Sequence, residues 1–98
     1  MKECINKSNN SKSYYCFFSG DNCGIQDANI FFRKLSSSTH LNFDIQTEYT
    51  KSSLVNLNIL YDGISYKIPF NSFITFNLPN KTLWFINKSD FEKQYQIK

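Results

Sequence analysis

The sequence predicts an α+β fold: one antiparallel sheet of four to five strands, with two helices (about residues 25–36 and 89–97) packed on one face and the other face open to solvent. Three observations lead there. Side chains that suit pleated sheets dominate, with ten Phe and ten Ile against a single Ala. Two stretches, "LNFDIQTEY" (41–49) and "LVNLNILYDGISYKI" (54–68), alternate apolar and polar residues as half-buried strands do. Two others, "IQDANIFFRKLSSS" (25–38) and "SDFEKQYQI" (89–97), space their apolar residues at three and four instead.

Taken in order, residues 1–12 are polar and low in complexity, "NKSNNSK" most of all, and read as a flexible N-terminal arm ahead of a single domain over 13–98. "SYYCFF" (13–18) reads as a first strand, and the turn formers of "SGDNCG" (19–24) as the loop after it. In the first helix Ile25, Ala28, Phe32 and Leu35 form the apolar stripe, widened by Phe31. Asp21 or Asn22 is placed to cap it, and Arg33 and Lys34 lie near the end that a helix dipole makes favourable for cations. After the 41–49 strand, Val55, Leu57, Ile59 and Tyr61 share one phase, and Asp62-Gly63 supplies the positive φ angles of a two-residue hairpin turn. Ile64, Tyr66 and Ile68 resume the alternation until Pro69, which cannot donate to a ladder and so marks a strand end or an edge. "SFITFNL" (72–78) reads as a further strand or a bent segment, and "TLWFI" (82–86) as the last strand. Ser89 and Glu92, at capping-box spacing, open the C-terminal helix.

Composition narrows the function classes. Hydrophobic residues at 41% and aromatics at 17% exceed what disordered chains carry. The wealth of Lys, Asn, Ile, Phe and Tyr beside one Arg is what an AT-rich genome encodes, so abundant Asn, and the four Asn-x-Ser/Thr sequons at Asn6, Asn9, Asn80 and Asn87, carry no functional message. Net charge is +3, but the lysines are scattered from Lys2 to Lys98 with no run of three, unlike the clustered stripe that nucleic acid requires. Cys4, Cys16 and Cys23 are odd in number and lack a CxxC pair, and a single His completes no zinc set, so no metal and no cofactor is expected. With no apolar run of signal-peptide or membrane-spanning length, a cytoplasmic protein with free thiols is expected. A Cys16 to Cys23 bridge would enter only if a secretion signal had been removed.

The sequence assembles no catalytic set. His40, Asp44 and Glu48 fall in phase on one strand face, but residues four apart on a strand lie about 13 Å apart, too far for an acid-base pair. Cys16 sits in an aromatic strand, where thiols are inert. Cys23, ahead of a helix, would need His40 as its base. "SGDNCG" lacks the spacing and the lysine of a phosphate loop.

A non-enzymatic binding module is therefore expected. Its polar sheet face would carry His40, Asn42, Asp44, Gln46 and Glu48, joined by Asn56, Asn58, Ser65 and Lys67. Tyr61 and Tyr66 would be anchors, because tyrosine combines apolar area with a polar tip. Small products of AT-rich bacterial and phage accessory genes often work by plugging another protein. By that analogy the expectation is a toxin-immunity protein that neutralises a cognate toxin domain by stoichiometric binding, with Asp44 and Glu48 meeting cationic groups of the partner. The alternatives are a phage-encoded inhibitor of a host defence complex, of the anti-CRISPR type, and a small RNA-binding or regulatory domain. Acidic residues on the sheet face weigh against the last. Both monomer and homodimer fit, since the strand order is not readable.

Overall fold

The computed structural model describes residues 1–98. Along the chain come β1 (Glu3–Asn6), β2 (Lys12–Phe18), α1 (Asn22–Thr39), β3 (Asp44–Tyr49), β4 (Val55–Tyr61), β5 (Ile64–Ile68), β6 (Ser72–Asn77), β7 (Thr82–Asn87), α2 (Lys88–Gln94) and β8 (Tyr95–Ile97). The α+β class and its antiparallel pairing are as the alternation predicted. The strands divide, however, into two sheets: a five-stranded one in the order β7-β6-β2-β1-β8 and a three-stranded meander β3-β4-β5.

The two helices lie on opposite faces of the larger sheet rather than together on one. Side chains alternate across a strand, so Tyr14, Cys16 and Phe18 of β2 share a face with Phe76, Ile74 and Ser72 of β6. This face meets α1, through Ala28, Phe31, Phe32 and Leu35, and the inner face of the meander, through Val55, Leu57, Ile59 and Ile68. Together they form the main core. On the reverse face Tyr15 and Phe73 receive Phe91, the one buried residue of α2, with the Phe73 and Phe91 rings stacked at 4.1 Å and 3°. An apolar stripe on each helix is thus satisfied separately, which a sheet with two apolar faces permits and a sheet with one does not.

Local chemistry accounts for the element ends. Asp21 caps α1, accepting from Gly24 N–H at 2.8 Å and from Ser19 Oγ at 2.7 Å. Between β2 and that cap, Gly20 takes φ +90° and lies so close to Phe70 that an added Cβ would fall 2.4 Å from Phe70 Cβ. Its carbonyl accepts from Val55 N–H at 3.0 Å, which ties the loop to the meander. The β4–β5 turn is the one Asp62-Gly63 predicts, with φ of 54° and 76°. α2 is capped by Asn87, which accepts from Asp90 N–H at 2.8 Å, and not by the Ser89/Glu92 box.

Two segments depart from the sequence reading because their partners are distant in the chain. Residues 3–6, expected in a mobile arm, form β1 between β2 and β8, with Cys4 fully buried. The "NKSNNSK" segment becomes an ordered turn: Ser8 N–H donates to Asn6 Oδ1 and Ser11 N–H to Asn9 Oδ1, both at 2.9 Å. The second helix stops at Gln94 instead of running to 97, because Tyr95–Ile97 pair with Cys4–Asn6.

Candidate protein-binding face

The outer face of the meander is built by register. β3 pairs with β4 through Asp44↔Leu60, Gln46↔Asn58 and Glu48↔Asn56, and β4 with β5 through Leu60↔Ser65 and Asn58↔Lys67. Directly opposed residues point the same way. Asp44, Gln46, Glu48, Asn56, Asn58, Ser65 and Lys67 therefore share one surface, as the alternation predicted, and β4 turns Val55, Leu57, Ile59 and Tyr61 inward.

Its hydrogen bonding is partly fixed from within. Asn56 Oδ1 accepts from Phe70 N–H at 3.0 Å, and Asn58 Oδ1 accepts from Ser65 Oγ at 2.6 Å. Both amide oxygens are thereby engaged, and in the register Asn56 lies opposite Glu48 and Asn58 opposite Gln46. Asp44, Glu48 and Lys67 take no part in an ion pair, since both salt bridges of the protein are made by Glu3, to Lys12 and to Lys98. The two carboxylates stand at an edge strand, about 13 Å apart.

Leu60 completes the face and was missed in the sequence. It lies in the outward phase of β4 with Asn56 and Asn58, is 47% exposed, and sits between Asp44 and Ser65. Around it Asp44, Gln46, Asn58 and Ser65 line a dimple of about 150 Å³. The signal was its even-numbered place in "VNLNIL", hidden because a leucine beside Ile59 reads as core.

Four predicted contact residues fall elsewhere. α1 extends to Thr39, so His40 becomes its left-handed cap (φ 59°), donating its N–H to Ser36 O at 2.9 Å, and does not join the strand. Asn42 is exposed in the loop before β3. Tyr61 is a core residue, stacked on Phe43 at 4.8 Å with its hydroxyl donating to Lys81 O at 2.7 Å, so it cannot anchor a partner. Tyr66 is half-buried on the inner side, edge-on to Trp84 at 6.5 Å, where it joins the meander to the edge of the larger sheet.

Of the chemistry weighed above, the thiol-imidazole pair loses its geometry. Cys23 and His40 mark the two ends of α1, about 25 Å apart at the helical rise. All three cysteines are free, and no group of three or more His, Cys, Asp or Glu is placed to hold a metal ion. No helix is long and apolar enough to cross a membrane. Comparison of the chain with protein-family profiles, with curated proteins and with solved structures finds no match.

Proposed function

We propose that this chain is a protein-binding module that docks its partner on the outer face of the β3-β4-β5 meander and acts as a stoichiometric inhibitor, of the kind that neutralises a toxin domain. The observation that carries the reading is the pair of unpartnered carboxylates, Asp44 and Glu48, set beside exposed Leu60. Charges left unpaired on a rigid sheet, around an apolar centre, suit a partner that brings Lys or Arg to the rim and an apolar side chain to the middle. Internal bonds to Asn56 and Asn58 support this, because pre-set amides lose little entropy on binding. A phage-encoded inhibitor of a defence complex would use the same face, and the identity of the partner separates the two.

The test is affinity capture from the native host at moderate salt, with protein and nucleic acid both identified and the captured protein's activity assayed with and without this chain. The expected result is one near-stoichiometric partner, inhibited on binding and released at least about 10-fold more readily by Asp44→Lys with Glu48→Lys. Recovery of nucleic acid alone, shed as salt is raised, would overturn the reading.

A further inference from the structure

β3 is an outer strand of the meander and pairs only with β4, so the backbone groups along its other side are free. It carries no Pro and no Lys to keep another strand away, whereas β5, at the opposite edge, carries Lys67 and ends before Pro69. Its core-side phase is also left partly uncovered. Ile45, Thr47 and Tyr49 lie opposite Ile59, Leu57 and Val55, all three buried, and so point inward with them. Thr47 is nonetheless exposed, and Tyr49, at 84%, is the most exposed large hydrophobic side chain of the protein.

Beside the same edge lies a groove of about 440 Å³ between β3 and α1. Ile45, Phe43 and Phe32 give it an apolar wall, and Asn29, Arg33 and Ser36 a polar one. Arg33 is exposed and forms no ion pair. One end of the strand thus holds a protruding ring, and the residue four positions back, in the same phase, forms part of a recess.

The ring and the recess are self-complementary. When β3 pairs antiparallel with a second copy of itself across a two-fold axis, a continuous sheet requires outward residues to oppose outward ones, which leaves only a few registers. Centred on Gln46, the pairing sets Asp44 against the other copy's Glu48, twice over. Centred on Glu48, it sets that carboxylate against itself. Centres at Ile45 or Tyr49 engage at most half of the strand. Centred on Thr47, it places Thr47 opposite Thr47, Gln46 opposite Glu48 and Ile45 opposite Tyr49, with no like charges opposed.

We propose that the protein is a homodimer joined through β3 in this last register, the two meanders forming one continuous sheet. Each Tyr49 turns inward opposite the other copy's Ile45 and fills the groove beside it, with Arg33 at the ring. The two Thr47 hydroxyls meet on the axis and hydrogen-bond. The outer face of the meander stays open, and the dimer presents two copies of it side by side.

Sedimentation velocity of the purified full chain tests the association and needs no partner at the outer face. A concentration-dependent dimer is expected, weakened at least about 10-fold by Tyr49→Lys. That variant should keep its circular dichroism spectrum, since the ring is exposed in the single chain. Register is read in a Cys23→Ser background, which removes the exposed thiol. Among Gln46→Cys, Thr47→Cys and Glu48→Cys, mild oxidation should link the Thr47→Cys chains fastest, because that residue alone faces its own copy. A protein still monomeric at about 1 mM, a dimer indifferent to Tyr49→Lys, or faster linkage through Gln46→Cys or Glu48→Cys would overturn the proposal.

Discussion

Replacing Phe91 by Ala removes the only buried side chain of α2 and should loosen one corner of the molecule before the rest. The ring is 1% exposed and lies against Phe73 at 4.1 Å, Tyr95 at 5.2 Å and Tyr15 at 5.3 Å. Phe→Ala substitutions in cores cost about 3–5 kcal/mol, through lost transfer energy and the cavity left behind. A seven-residue helix at the surface can settle inward, which favours the lower end, about 3 kcal/mol. For a domain of this size that corresponds to a fall in Tm of about 12–24 °C. Urea denaturation followed by circular dichroism measures the loss, and amide hydrogen exchange locates it. Protection should fall first in α2 and β8, and through β8 in β1, while Leu57 and Ile59 of β4 keep theirs until global unfolding. A loss under about 1 kcal/mol, or equal early exchange in β4 and β8, would refute the assignment of Phe91 as the pin of a separate small core.

Tyr61→Phe deletes the hydroxyl that donates to Lys81 O and should cost about 0.5–1.5 kcal/mol in the same denaturation assay, with no effect on partner binding because the ring faces the core. Thiol titration at pH 8 should find one cysteine, Cys23, reacting promptly in the native protein and three after denaturation. Burial covers Cys4 and Cys16 and pushes both thiols up to about 11. Asp21 is held below its ordinary value of 3.8 by the Gly24 N–H and then by Ser19 Oγ, so its contribution is complete above that value and is lost as pH falls through the lowered one. Asp21→Asn, which keeps the cap but not the charge, should flatten the acid limb of a Tm-against-pH curve below pH 4. An unchanged limb would show that the cap does not couple to protonation.

What was legible in the sequence lay in features a chain carries locally. The β4–β5 hairpin is written in Asp62-Gly63 and its flanking alternation, α1 in the spacing of Ala28, Phe31, Phe32 and Leu35, and most of the candidate face in the single phase of Asp44, Gln46 and Glu48. Tyr61 was legible too, since its phase with Val55, Leu57 and Ile59 marks it as inward; its supposed role as an anchor rested on residue type alone. His40 keeps the strand's phase only by coincidence, because the preceding helix runs one turn further and takes it as a cap.

Other features depend on contacts between residues far apart. β1 is four residues long and too short to be recognised by its own pattern. It exists because β2 flanks it on one side and β8, some ninety residues away, on the other. The docking of the two sheets depends on contacts such as the loop at Gly20 against Val55 and Phe70, and the placement of the helices on opposite faces follows from Phe91 meeting Tyr15 and Phe73 behind the sheet. Alternation and helical spacing record which side of an element is apolar, and that the sequence determined by itself. Which other element covers that side is decided by long-range packing, and so the layers and the sheet order belong to the tertiary structure alone.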